Sequence, residues 1–318
     1  MEFAGAMAVA MVADAVLGWP DGLFARVGHP VTWLGRLVAA LDTRWNRTED
    51  AAWTRRAAGV AAALIVIALA GGLALAMQAA MPPGWTRTVL LGIVAWPFVA
   101  LRSLLDHVAA VARPLRSGDP QSSDLAAARS AVSMIVGRDP ANLDEAGIAR
   151  AAIESLAENT SDGIVAPVLW GLLFGLPGIV GYKAVNTLDS MIGHRTERHE
   201  QFGWAAARID DVANLVPARL TGVLFALMSA HPVDAMACMA KDARRHRSPN
   251  AGWPEAAMAG ALGVRLCGPR FYHGELANEP WLNGGARDPA ASDITRGLML
   301  YARAMICLAG LLVVLAFV

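Results

Sequence analysis

ESLAENTSDGIVAPVLWGLLFGLPGIVGYKAVNTLDSMIGHRTERHEQFGWAAARIDDVANLVPAR, residues 154–219, decides the fold. Within it the run from Gly163 to Gly181 carries no charge, and a helix needs about 20 such residues to cross a bilayer core. Polar groups crowd both ends of the run. Ahead of it stand Glu154, Glu158, Asn159, Thr160, Ser161 and Asp162. Behind it come Lys183, Asn186, Thr187, Asp189 and Ser190, then Arg208, Asp210, Asp211, Asn214 and Arg219. Ionisable groups are costly next to lipid, and near a membrane they line a site or a watery cavity. The stretch predicts a membrane protein whose working groups lie at the membrane face.

The run is rich in Gly and Pro: Pro167, Gly171, Gly175, Pro177 and Gly178. Membrane helices tolerate such residues, and broken or re-entrant helices have the same composition. A single crossing puts the clusters at its two ends on opposite sides of the membrane. A re-entrant run lets them share one site. Lys183, Arg195, Arg198 and Arg208 favour the cytoplasm, which favours the second arrangement.

The rest of the chain agrees with a membrane setting. Of 318 residues 55% are hydrophobic and 17% charged, with a mean hydropathy of +0.41, whereas soluble domains carry about a quarter charged residues. The expected fold is all-α, a polytopic integral membrane protein with about 4–6 membrane segments, some of them re-entrant; a soluble protein with buried core helices is the alternative. The formal net charge of +0 and the lack of a basic stripe with interleaved aromatics exclude nucleic acid as a partner. Cys238, Cys267 and Cys307 are scattered without a CxxC pair, which suggests neither a disulfide framework nor a zinc site. Glu2 replaces the positive start of a signal peptide, so the N-terminus reads as a first hydrophobic segment that stays.

That segment, Phe3 to Leu17, is interrupted by Asp14 and stops at Gly18-Trp19-Pro20. An amphipathic helix with Leu37, Leu41 and Trp45 on one stripe follows His29-Pro30; a lone histidine there is structural unless other polar groups converge on it. Ala57 to Met77 is the clearest transmembrane helix, Met81–Gly84 turns the chain, and Thr88 to Leu101 returns it. Arg26, Arg36, Arg44, Arg47, Arg55 and Arg56 against Arg87 alone in the turn place the 18–56 loop in the cytoplasm. Val212–Ala230 and Leu298–Val318 are further spans. Residues 102–162 and 231–297 read as cytoplasmic helical insertions within one integral-membrane domain, 1–318. The first is broken at Ser117-Gly118-Asp119-Pro120. A capping box at Asn142–Glu145 then opens a helix to Glu158, on which Glu154 and Glu158 share a face.

Three groupings carry chemistry. Lys183 and Asn186 share a helical face, as do Asn186, Asp189 and Ser190, and a lysine beside neutral donors suits a phosphate oxygen. Asp210-Asp211 with Asn214 supplies the hard oxygen ligands that hydrated Mg²⁺ takes, with phosphate completing its shell. Lys241, Asp242, Arg244, Arg245, His246 and Arg247 form a charged helix end, broken by Ser248-Pro249-Asn250, before Pro254 and Glu255 open another helix. The small pairs Ala256/Gly260 and Ala257/Ala261 permit close helix approach. No phosphate loop, dinucleotide fingerprint, HExxH pair or GxSxG elbow is present.

The motifs ENTSDGIVAP, YKAVNTLDSMIG, ARIDDVANLVPARLT and KDARRHRSPNAGWPEAAMAGALGVRL, with Asp14…Gly18-Trp19-Pro20 and HPVTWLGRL from His29, run in order over nearly the whole chain. Together they resemble the adenosylcobinamide-phosphate synthase family, CobD/CbiB, of cobalamin (vitamin B12) biosynthesis. The sequence departs from that pattern in Cys267, where glycine is expected, and in Ala206, where serine is common. The resemblance implies an inner-membrane ligase with its site facing the cytoplasm and neighbouring corrinoid enzymes as potential partners in a complex. It would join the carboxylate of adenosylcobyric acid to (R)-1-amino-2-propanol or its O-phosphate, using ATP and Mg²⁺. It further implies Asp210, Asp211 and Asp162 on the metal. Lys183, Arg208, Arg219 and Lys241 would bind phosphate or propionate oxygens, and Glu158, His246 or Glu255 would take the proton of the amine. Trp253, Asn159, Asn186 and Asn250 would lie against the amide-rimmed corrinoid. His29, Ser161, Asp189, Asn214, Asp242 and Ser248 complete the candidate substrate-binding set. A transporter should show internal repeats, which are missing. An alcohol phosphotransferase needs an Ala-Arg after Asp162-Gly163 that is also missing. A non-catalytic sensor would not need so many matched polar positions.

Overall fold

The computed structural model describes residues 1–115, 124–137, 140–272 and 275–318; the expected break at Ser117–Pro120 lies outside them. In chain order the helices are α1 (Glu2–Leu17), α2 (Asp21–Val27), α3 (Pro30–Trp45), α4 (Ala52–Ala80), α5 (Trp85–Ala95), α6 (Leu101–Ala112), α7 (Leu125–Ser133), α8 (Glu145–Thr160), α9 (Ala166–Phe174), α10 (Leu176–Leu188), α11 (Trp204–Ala213), α12 (Leu215–Met228), α13 (Pro232–Asp242), α14 (Gly252–Leu262) and α15 (Ala291–Phe317). Four short strands, β1 (Leu266–Cys267), β2 (Arg270–Tyr272), β3 (Glu275–Ala277) and β4 (Trp281–Leu282), lie between α14 and α15. The fold is thus all-α apart from two small two-stranded pairings.

Among the described residues three helices are long and apolar enough to cross a membrane: Ala52–Ala80, Trp85–Ala112 and Ala291–Phe317. Two bent pairs raise the number to five. The expected span Ala57–Met77 falls inside the first. Along α4 the side chains Leu64, Leu69, Leu73 and Leu75 are exposed, as are Ile306, Leu311, Val314 and Phe317 on α15. A continuous exposed apolar face of this kind is not a soluble surface; on a hydrogen-bonded helix it is what lipid covers.

The chain divides into two compact units, Met1–Ala100 with Ala166–Asn214 and Ala309–Val318, and Leu101–Val165 with Leu215–Leu308. In the first unit glycine sets the packing. A β-carbon on Gly92 of α5 would lie 2.6 Å from Val9 of α1, and one on Gly59 of α4 would lie 1.9 Å from the Phe202 carbonyl oxygen. The uncharged run breaks at Gly175, whose φ of +70° only glycine adopts without strain. The helices on its two sides are α9 and α10. They fold back on each other, so closely that a β-carbon on Gly178 would lie 2.0 Å from the Trp170 carbonyl oxygen. Pro177 near the start of α10 suits a helix opening, and the buried Gln78 of α4 accepts the Leu176 N–H at 2.7 Å. The break that composition left open is therefore a helical hairpin.

In the second unit α8 is buried on every side from Gly147 to Ala157. Asp144, two residues past Asn142, caps it by accepting the Gly147 N–H at 2.7 Å. The packing of α12, α13 and α14 uses small residues as expected. A β-carbon on Gly260 would meet the Asp234 carbonyl at 2.7 Å, and one on Gly222 the Trp253 carbonyl at 3.0 Å. The strands, not anticipated from the sequence, pair antiparallel with Leu266 opposite Leu282 and Cys267 opposite Trp281. Arg150 and Arg265 lie over the Trp281 ring at 4.7 and 4.3 Å and both bond Asp288. The bond from Arg265 contributes most to holding the Asp288 carboxyl below its ordinary range.

Two glycines one turn apart on α10 test the hairpin. Gly178→Ala should destabilise the protein by about 1–3 kcal/mol through overpacking. Gly181→Ala has no atom within 4 Å of its new methyl and should be neutral or stabilising by about 0.5–1 kcal/mol. Thermal unfolding in detergent measures both.

Candidate functional site

In the first unit α10 presents Lys183 and Asn186, then widens into a π-helical turn, Asp189–Gly193. Such turns re-aim side chains and are frequent at functional sites. Gly203, at the start of α11, lies against this turn, where a β-carbon would come within 1.6 Å of the Ile192 carbonyl oxygen. That contact brings Asp210 and Asp211 of α11 to Asn186 and Asp189. Lys183 Nζ donates to Asn186 Oδ1 at 3.2 Å, and Asn186 stands beside the Asp210 carboxylate. Asn214 Nδ2 donates to Asp210 Oδ2 at 3.0 Å, and the Tyr182 hydroxyl donates to Asn214 Oδ1 at 2.9 Å. Arg208 pairs with Asp211 at 3.0 Å.

The electrostatics are lopsided. Asp189, Asp210 and Asp211 are close enough to repel one another. Burial pushes the Asp189 carboxyl above its ordinary range, and Asp211 adds to the rise against His194 and Arg208. Asp210 Oδ1 is buried and has no hydrogen-bond partner among the described residues. A buried carboxylate oxygen without a donor is unusual. Two further carboxylates and two amide side chains stand near it, oxygen donors of the kind a hard divalent cation takes, although Asp189, Asp210 and Asp211 do not bring one oxygen each within 4.8 Å of one another. His29 instead caps α3, its Nδ1 accepting the Val31 N–H at 3.2 Å, and packs edge-on to Trp19.

The second unit holds its own polar group. Glu154 is buried and accepts the Cys267 N–H at 2.7 Å. Glu158 and Asn159 are exposed at the end of α8, and Asp162 lies in another π-helical turn, Ser161–Val165, in which Ser161 is buried. Arg219 lies 4.4 Å over the Trp253 ring and donates to Asn250 Oδ1 at 3.3 Å. His246 Nε2 is 3.8 Å from Glu255 Oε2, and Cys267 Sγ is 3.1 Å from the same oxygen. Lys241 is exposed. Two candidates are occupied by neighbouring groups of the fold. Asp242 accepts from Arg245 and the Asn283 N–H, and the Ser248 hydroxyl accepts the Asn250 and Ala251 N–H groups.

The profile of the CobD/CbiB protein family matches residues 7–301. The chain belongs to this family. It is 62% identical over 318 residues to the cobalamin biosynthesis protein CobD of Rhodobacter capsulatus, covering 100% of this chain and 98% of that relative. A Sinorhizobium protein of the same name is 44% identical over 98% of each chain, and one from Brucella suis is 44% identical over 98% of this chain and 96% of its own. No solved structure matches the chain significantly.

For this CobD/CbiB member the structure groups Lys183, Asn186, Asp189, Arg208, Asp210, Asp211 and Asn214 in one unit. It groups Glu158, Asn159, Ser161, Asp162, Arg219, Lys241, His246, Asn250, Trp253 and Glu255 in the other. Sequence reasoning missed Tyr182, Glu154 as the support of Cys267, and the membership of Asp189 in the acidic group. The like charges around Asp210 yield a direct test. In chelator-containing buffer Asp210→Asn should raise the thermal unfolding temperature by removing repulsion among three carboxylates, and an unchanged or lowered temperature would show that they do not repel.

Proposed function

We propose that this protein acts in cobalamin biosynthesis as a membrane ligase, joining the carboxylate of adenosylcobyric acid to the amine of (R)-1-amino-2-propanol or its O-phosphate. The observation that carries the proposal is the buried Asp210 oxygen without a protein donor, set among Asp189, Asp211, Asn186 and Asn214. A carboxylate is a poor electrophile, and activation by ATP makes it an acyl phosphate, with ADP released. Attack by the neutral amine then forms the amide C–N bond and releases phosphate. Asp210, with Asp189 and Asp211 near it, would hold Mg²⁺, which would supply positive charge to the phosphate oxygens; Asp162 is the further carboxylate that the family resemblance nominates.

The chain's own groups bind, orient and move a proton. Lys183, held by Asn186, and Arg208 supply positive charge for phosphate oxygens. Arg219, fixed over Trp253, and the exposed Lys241 do the same for a phosphate or propionate. The attacking amine must lose a proton first. Glu158, exposed at the end of α8, suits an amine arriving from water, and the buried His246–Glu255 pair is the second candidate. Asn159, Asn250 and Trp253 suit the amide rim of a corrinoid. The arginine-rich loop before α4 supports a reading in which the site faces the cytoplasm at the inner membrane.

The test is product formation from adenosylcobyric acid, aminopropanol phosphate and ATP in membranes carrying the protein. Wild type should form the amide only with Mg²⁺. Asp210→Ala and Lys183→Ala should each lower kcat at least about 10²-fold while inserting normally. Inactivity of wild type with authentic substrates, accompanied by facilitated corrinoid flux, would replace the ligase with a transporter.

A further inference from the structure

We infer that His246, Glu255 and Cys267 form a binding site for a soft divalent metal ion such as Zn²⁺, which would take His246 and Glu255 out of consideration as proton acceptor and leave Glu158 in that role. One ligand atom from each residue lies within 4.8 Å of the other two. Cys267 Sγ is 3.1 Å and His246 Nε2 3.8 Å from Glu255 Oε2. A tetrahedral zinc ion with one sulfur, one nitrogen and one oxygen ligand spaces those atoms about 3.3–3.7 Å apart, so the two separations to Glu255 lie within about half an ångström of that spacing. Mixed sulfur, nitrogen and oxygen ligands select Zn²⁺ or Co²⁺ over Mg²⁺.

The surroundings point the same way. Glu255 and Cys267 are buried, and the His246 side chain is 8% exposed. Acid, base and thiol groups are seldom buried together unless paired or bound to metal. Cys267 holds a backbone φ of +59°, a conformation costly for any residue with a β-carbon. Its N–H is pinned by the buried Glu154 carboxylate at 2.7 Å, and it pairs with Trp281 across the β1–β4 ladder. A strained residue fixed from two sides, with its sulfur aimed at a carboxylate, is an arrangement that persists at functional positions. His246 Nδ1 accepts the Ser248 N–H at 3.0 Å, with the Ser248 carbonyl 3.3 Å away, so binding metal at Nε2 requires the 246–248 turn to shift until that carbonyl accepts a proton moved to Nδ1. The Cys267 thiol proton leaves to solvent as the thiolate binds.

The experiment uses full-length protein purified in detergent, stripped with a chelator and titrated with Co²⁺ in the absence of corrinoid. With Mg²⁺ present to fill oxygen-donor sites, one Co²⁺ should bind with a thiolate-to-cobalt charge-transfer band and tetrahedral visible bands. Zn²⁺ should abolish both, and excess Mg²⁺ should leave both in place. Cys267→Gly fits the positive φ, should keep the wild-type unfolding temperature, and should lose the charge-transfer band. His246→Gln should weaken Co²⁺ binding by more than the about tenfold that losing a mere supporting hydrogen bond costs. Absence of the band in wild type, or its persistence in Cys267→Gly through Cys238 or Cys307, would overturn the site, leaving only a thiol hydrogen-bonded to a carboxylate. Because the readout is spectroscopic, neither result bears on whether the ligase reading holds.

Discussion

Backbone-to-backbone approach at glycine is the constraint from which the first unit follows. The carbonyl oxygens of Trp170, Ile192 and Phe202 lie 2.0, 1.6 and 1.9 Å from where β-carbons on Gly178, Gly203 and Gly59 would be. No side chain fits in those gaps, so α9 against α10, α11 against the π-turn, and α4 against the Phe202 loop are fixed by contact between main chains. In lipid, where apolar burial gives no net drive for helices to associate, such close packing is what holds helices together. The position of every polar group on α10 and α11 depends on it.

What this packing achieves is electrostatically unfavourable on its own. It brings three aspartates together and leaves one oxygen of Asp210 buried without a donor. An unsatisfied buried polar atom costs about 1–3 kcal/mol, and repulsion among like charges adds to that. Asn214, itself oriented by Tyr182, and Asn186, itself held by Lys183, offset part of the cost. The remainder is what the cation of the proposed reaction would relieve. The second unit shows a related pattern at Cys267, where a strained backbone is kept by a buried glutamate.

Much of this was legible in the amino-acid order, and the misses have physical causes. Uncharged length alone identified α4 and the last helix, because nothing but lipid or a core tolerates such runs. The Gly- and Pro-rich run was ambiguous between a crossing and a hairpin. Its resolution rests on Gly175 adopting a positive φ and on Gln78, nearly a hundred residues earlier, capping α10. Asp210, Asp211 and Asn214 could be read from helical spacing. Asp189 could not be added to them, because a π-turn breaks the regular period on which such arguments depend. Asn142 and Asp144 both suit a helix cap, and only contact geometry separates them. Asp242 and Ser248 look like site residues in sequence, yet their oxygens are taken by nearby N–H groups. Strands of two or three residues are too short to show an alternating pattern, so the turn that delivers Cys267 to His246 and Glu255 had no sequence signal.

The central claim is that the Asp189–Asp210 group is a nucleotide-dependent site open to the cytoplasm. A cysteine placed at the exposed Ser190 in a Cys307→Ala background, reacted with a membrane-impermeant maleimide, tests it most directly. Labelling in inverted inner-membrane vesicles, absent from right-side-out vesicles and slowed when ATP and Mg²⁺ are added together, is the predicted result. Labelling from the outer face alone, at a rate indifferent to nucleotide, would contradict it.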